Sequence, residues 1–269
     1  GRVLALVGEA GQGKSRLLQA FIEPQPGVAY AAARPGDAGV PYATLARLLR
    51  AVLAPAPAAA PASAPVGSLL PAPLRGELAR LLPELGEATP RRAEAQGLAL
   101  QGAVSALIAD ADRLAGLAVD DLHFADAASL EMLRALVDAE PAPGRAPLRW
   151  ALAFRPAEAA TPLHALQDAL AEQARLAVQP LGPLSEAELA ELVDTLALTG
   201  VSGAALAPAL LRATGGNPLF VLETLKQAWT DGALDRLAEP RTGRALVRPA
   251  TVGLLIERRL AQLSPGALM

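Results

Sequence analysis

The run Gly8-Glu9-Ala10-Gly11-Gln12-Gly13-Lys14-Ser15 constrains this chain more than any other stretch. It follows directly on Val3–Val7, a short apolar run of strand character, and Leu17, Leu18 and Phe21 continue beyond it at helical spacing. It satisfies G-x-x-x-x-G-K-[ST] at every fixed position, in the strand–loop–helix order that separates a site from a chance Gly-rich turn. The glycines let backbone N–H groups curl around an anion with no Cβ in the way. The helix that follows adds free N–H groups and a positive dipole end. Lys14 is placed to reach the β- and γ-phosphates of a nucleotide and Ser15 to ligate Mg²⁺, with Arg16 beside them in the first helical turn. ATP or ADP with Mg²⁺ is the expected cofactor set. The chain has only two lysines, Lys14 and Lys226, which makes a chance match rarer still.

The chain's 269 residues suit one large domain or two smaller ones, and 52% of them are apolar, enough for a sizeable core. Aromatics are only 3%, so Leu, Ala and Val must build it. Cysteine is absent, which excludes disulfides, thiolate metal sites and cysteine nucleophiles. The net charge of −3 is spread along the chain with no basic stripe, so no direct nucleic-acid binding by this segment is expected. No uninterrupted apolar run free of charge and proline reaches the roughly 18 residues of a membrane span, so none is expected, and no signal peptide is expected at the N-terminus. A cytoplasmic location is expected. The chain starts on Gly, and its first strand has no lead-in, which reads as a piece of something longer. Abundant Ala, Arg and Pro with scarce Lys, Asn and Ile suggest GC-rich bacterial coding.

Apolar strand-like runs at Val3–Val7, Val28–Ala32, Leu114–Asp120, Arg149–Phe154 and Arg175–Val178 alternate with helical patterns. The helical patterns are Lys14–Ile22, Tyr42–Leu53, Leu74–Leu82, Arg92–Asp112, Ala127–Ala139 and Pro162–Ala174. This alternation predicts an α/β fold with a five-stranded parallel sheet flanked by helices. The Ala/Pro stretch Ala54–Pro65 reads as a surface insertion. After Pro180 the strand pattern stops. A capping box, Ser185 with Glu188, starts a helix running to about Leu198, and helices at Gly203–Ala213 and Leu219–Trp229 follow, a small all-helical lid. Asp231–Arg248 is a charged connection, and Ala250–Leu263 a final amphipathic helix. The expected division is 1–182, 183–248 and 249–269.

Leu114–Asp120 ends in two acids, Asp120 and Asp121. ATP hydrolysis needs a carboxylate near Mg²⁺ and a group to orient the attacking water; Asp120 suits the first role and Asp121 the second. Strand ends of a parallel sheet are where ligands gather; the plain alternative is two acids ending a buried strand. Asp126 reads as the N-cap of the next helix. His123, a lone histidine between them, reads as a packing or supporting group. Arg155 ends the fourth strand, either aimed at a γ-phosphate or merely a surface Arg before Pro156. In Thr214-Gly215-Gly216-Asn217-Pro218, glycine stops one helix, Asn217 caps the next and Pro218 fills its first turn.

Together these residues resemble the STAND class of P-loop ATPases, more narrowly the ATPase module of large bacterial regulators linked to LuxR-type, winged-helix or nucleotide-cyclase domains. The resemblance covers nearly the whole chain. It rests on Gly8–Ser15, on Asp120-Asp121-Leu122-His123-Phe124-Ala125-Asp126 and on Gly215-Gly216-Asn217-Pro218-Leu219-Phe220, with support from Leu181–Ser185 and Arg258–Pro265. It implies that Pro218 packs on the adenine, with Gly216 in the same motif, and that Arg155 is a first sensor. It also implies that the last helix begins a winged-helix domain. Two departures stand out: the family's Gly-Arg-Glu motif would precede this chain's first residue, and Gln12 replaces a usually apolar residue.

The leading expectation is an ATP-binding and hydrolysing switch, with nucleotide between sheet domain and lid biasing an open–closed or assembly equilibrium. Its partners would be other domains of a longer chain and other copies of itself. The alternatives are a continuously cycling AAA-type motor or loader, and a scaffold holding a structural nucleotide.

Overall fold

β1 (Val3–Val7) carries no polar side chain on either face, and the computed structural model of the chain puts it inside a sheet, paired on both edges. The structure describes residues 3–54, 70–111, 114–139, 146–198 and 201–232. The sheet has five strands in the order β2-β3-β4-β1-β5, with β2 at Val28–Ala32, β3 at Gly116–Asp120, β4 at Arg149–Phe154 and β5 at Leu176–Pro180. Every pairing is parallel, with Ala5 opposite Leu152 and Val178, and Ala118 opposite Ala151. Strands buried on both faces must be apolar throughout, which is why β1, β3 and β4 stand out so clearly in the sequence.

The compact residues fall into two units, Gly1–Glu9 with Lys14–Pro180, and Ala10–Gly13 with Leu181–Met269. In the first, alternate strand residues feed two cores. Val3, Ala5, Leu117, Val119, Leu152 and Phe154 meet helices α2 (Ala43–Leu53), α3 (Ala72–Leu78), α4 (Ala93–Asp110), α5 (Ala127–Asp138) and α6 (Thr161–Glu172). Leu6, Ala118, Ala151 and Ala153 pack with Leu18 of α1 (Lys14–Ile22). The alanines make that second face shallow beneath α1.

Several element ends differ from the sequence expectation. Leu114 and Ala115 precede β3, because the Leu114 N–H turns back to the Ala111 carbonyl. β5 starts one residue later than expected and runs on through Gln179 and Pro180, which pair with Leu6 and Val7. As an edge strand, its exposed polar end gives no apolar signal. α3 starts at Ala72, two residues early, and is regular only to Leu78, although the Leu82 N–H still reaches the Leu78 carbonyl at 2.9 Å. The stretch 55–65 and the expected helix at 250–263 lie outside the described residues.

Tyr42, expected as the first residue of α2, instead caps it in the left-handed region at φ 63°. The cause is Asp126, which is buried. Its Oδ1 accepts from the N–H groups of Tyr42 (2.7 Å) and Ser129 (2.8 Å). Its Oδ2 accepts from the Ser129 hydroxyl (2.7 Å) and the Thr44 N–H (3.3 Å). One carboxylate thus caps α5, as its sequence position suggested, and also closes the start of α2.

The second unit holds α7 (Glu186–Thr195), α8 (Gly203–Thr214) and α9 (Pro218–Thr230) around Leu189, Val193, Leu206, Leu210, Val221 and Leu225. Both halves of the Ser185–Glu188 capping box form. A Cβ on Gly203 would strike the Ala190 carbonyl, so glycine sets the close approach of α7 and α8. Within this unit, Asn217 accepts from the Leu219 N–H at 3.1 Å, capping α9, and donates to the Ala10 carbonyl at 2.9 Å. Among the described residues no helix is long and apolar enough to cross a membrane.

Removing the Asp126 carboxylate strands four donors, three of them buried and the Tyr42 N–H half-buried. Asp126→Ala is expected to lower the unfolding free energy by about 3 kcal/mol, read by urea denaturation.

Candidate functional site

The order β3-β4-β1 sets three strand ends side by side, those of Asp120, Phe154 and Val7. β1 delivers the loop 8–13, and the Gly8 N–H still reaches the Phe154 carbonyl at 3.4 Å. Gly11 and Gly13 take φ of +79° and +85°. At Gly13 a Cβ would meet open space, so there the backbone angle alone requires glycine.

Lys14 opens α1 and is 5% exposed. Its ammonium donates to the carbonyls of Gly8 at 2.7 Å and Glu9 at 2.8 Å. Burial lowers its pKa and the nearby Arg155 guanidinium lowers it further, while Asp121, Asp120 and Glu9 act the other way. Two cations and three acids therefore share one field. Ser15 and Arg16 are exposed on the first turn of α1, and Glu9 and Ala10 are exposed in the loop, where Gln12 is half-buried.

Asp120 ends β3 and is 2% exposed. Its Oδ1 accepts the Asp121 N–H at 2.8 Å, and its Oδ2 accepts the Tyr30 hydroxyl at 3.4 Å. Tyr30 comes from the neighbouring β2. Burial, and then the Asp120 carboxylate, push its hydroxyl up to about 12. Asp121 sits at φ 50° in the left-handed region, with its carboxylate about one-third exposed at 35%.

Arg155 follows β4 and donates from Nη1 to Glu158 Oε1 at 2.7 Å, an interaction that holds the Glu158 carboxyl below its ordinary range. Its Nε is buried without a hydrogen-bond partner. The His123 side chain is fully buried; its Nε2 lies 3.6 Å from Glu158 Oε2 and 4.0 Å from Asp121 Oδ1. Its ring centroid is 4.1 Å from that of Phe124. Burial lowers the imidazole's pKa, so it is neutral at neutral pH.

The structure thus brings Lys14, Asp120, Asp121 and Arg155 of the expected set together. Gly216 and Pro218 belong to the second unit: Gly216 is buried at φ +77° with no room for a Cβ beside the Leu184 carbonyl, and Pro218 is the half-buried first residue of α9. Tyr30 and Glu158 were missed. Tyr30 was legible only as a strand residue, and Glu158 had one signal, its i,i+3 spacing from Arg155.

No group of three or more His, Cys, Asp or Glu among the described residues could hold a metal ion. Ser15 and Asp120 offer one hydroxyl and one carboxylate. Such an oxygen-only pair fits Mg²⁺, which keeps several waters and arrives on nucleotide phosphates.

The depressed His123 pKa has a defined sign for stability. The unfolded chain takes up a proton below 6.5 that the folded chain refuses, so stability falls as pH drops from 6.5 toward the lower folded value. His123→Leu is expected to flatten that part of the slope, measured by urea unfolding at about pH 7 and about pH 5.5.

Residues 1–151 match a protein-family model described as "AAA ATPase domain". Among solved structures, the Thermotoga maritima RuvB Holliday junction branch migration motor is similar at 14% identity and a TM-score of 0.45, over 88% of this chain and 59% of that one. A mutant of Thermotoga maritima RuvB is similar at 14% identity and a TM-score of 0.46, over 88% of this chain and 60% of the mutant. This chain therefore spans about 60% of the length of the solved chains it matches. No curated protein matches.

Proposed function

This chain belongs to the AAA ATPase domain family, and from that premise we propose that it binds and slowly hydrolyses ATP as the switch module of a larger bacterial signalling or transcriptional regulator. The observation that carries the reading is Lys14, buried at the head of α1, held by two loop carbonyls and set among Asp120, Asp121 and Arg155.

In this reading the backbone N–H groups of Gly8–Ser15 take the phosphates, and Lys14 exchanges the Gly8 and Glu9 carbonyls for β- and γ-phosphate oxygens. Arg155 turns to the γ-phosphate. Ser15 and Asp120 would hold Mg²⁺, which would supply positive charge against that building on the phosphate oxygens. Asp121 orients a water whose oxygen attacks the γ-phosphorus. The bond to the β-phosphate oxygen breaks, ADP and phosphate are left, and the water's proton passes to the carboxylate or to solvent.

A nucleotide shifts a conformational equilibrium only by binding the two states differently. Lys14 and Arg155 supply that difference, since both hold protein oxygens that a triphosphate would replace. The proposed division is an ATPase domain at 1–182, a helical lid at 183–248 and, at 249–269, the first helix of a winged-helix domain. The partners are other domains of the same chain and, with ATP bound, further copies of it, in the cytoplasm.

Calorimetric titration with Mg²⁺–ATP and with ADP tests this. Lys14→Ala is expected to weaken binding at least 100-fold, a loss of about 2.7 kcal/mol. Asp121→Asn is expected to bind ATP as the parent does and to lose turnover about 100-fold. Binding that survives in Lys14→Ala would overturn the site, and normal turnover in Asp121→Asn would remove that residue's role.

A further inference from the structure

Among the described residues, the buried side-chain nitrogens without a hydrogen-bond partner are both ring nitrogens of His123 and Nε of Arg155. Native folds satisfy nearly all such groups. These exceptions cluster where β3 and β4 end, at residues linked through Glu158. His164, the other histidine in the chain, is exposed on α6 and is not among them.

We infer that His123 is a positioning residue for Asp121: its Nε2–H turns the Asp121 carboxylate toward the attacking water. This rests on the ATPase reading above. At 4.0 Å, Nε2 and Oδ1 are about 1 Å from hydrogen-bond distance. The Asp121 backbone sits at φ 50° with its N–H donated to Asp120 Oδ1, and rotation of its side chain is the smallest movement that would close that gap. Its carboxylate is partly exposed, where a water can reach it. Glu158 Oε2 is nearer the imidazole, at 3.6 Å, and Arg155 takes only the other oxygen, Oε1, so Glu158 is the competing acceptor that the test must separate from Asp121. A pure packing role would be served better by an apolar side chain, because a buried imidazole with both nitrogens unpartnered is a poor filler. The donor at Nε2 makes sense of its presence.

The test separates reach from bulk. A Gln side chain carries its N–H groups about as far from the backbone as Nε2, whereas Asn carries them only about as far as Nδ1. ATP affinity and single-turnover hydrolysis are measured in the full chain and in His123→Leu, His123→Gln and His123→Asn. Hydrolysis is expected to fall about tenfold in His123→Leu and His123→Asn, with ATP affinity within about twofold of the parent. His123→Gln is expected to recover most of the rate. Parental hydrolysis in His123→Leu would overturn the inference, as would equal rates in the Gln and Asn variants.

Nitrogen NMR of the imidazole, with Mg²⁺ and a non-hydrolysable ATP analogue, supplies a readout apart from rate. The expected tautomer carries its proton on Nε2, and that resonance moves more in Asp121→Asn than in Glu158→Gln. A proton on Nδ1, or a larger response to Glu158→Gln, would overturn the assignment. A parent chain that binds ATP without any turnover would fail the ATPase reading first, and this inference with it; turnover that ignores His123 fails the inference alone.

Discussion

The candidate site depends on β4 being hydrogen-bonded along both edges, to β1 on one side and β3 on the other. Parallel pairing in fixed register ends the three strands at one level. The loop after Val7, the acid at Asp120 and the guanidinium of Arg155 thus emerge beside one another although they lie far apart in the chain. No side chain has to reach across the molecule. The register is held by apolar residues on both faces, so the same burial that stabilises the sheet also aligns the polar groups at its end.

Much of this was legible beforehand because both-faces burial leaves an uninterrupted apolar run. β1, β2 and β4 begin and end where their residues suggest, as does α1. The Gly8–Ser15 pattern is legible for a different reason: its conformation demands glycine at Gly11 and Gly13, so backbone geometry is written directly into residue type. Contacts between elements leave no such mark. Nothing local in Tyr42 announces that Asp126 will hold its N–H, and nothing in Tyr30 announces that its hydroxyl meets Asp120, because both depend on strand order. Glu158 is obscure for a third reason. A Glu three residues after an Arg is commonplace on protein surfaces, and only the burial of His123 beside it sets it apart.

The electrostatics of the first unit are unbalanced in a telling way. Lys14 and Arg155 repel one another, and burial already disfavours the charge on Lys14. Each cation is quieted by protein oxygens, two carbonyls in one case and the Glu158 carboxylate in the other. An incoming polyanion would relieve the repulsion between them and replace those oxygens at the same time.

The shallow face beneath α1 has a consequence for how this sequence can drift over generations. Ala118, Ala151 and Ala153 leave just enough depth for Leu18. A larger side chain at any of them would lift the helix that starts with Lys14. Leu17, on the outer side of the same helix, is 43% exposed and free of that restriction. Neutral change should therefore collect on the outside of α1 and stay rare on the floor below it, where three methyl groups in the sheet interior are as much a part of the ligand loop's specification as the glycines themselves.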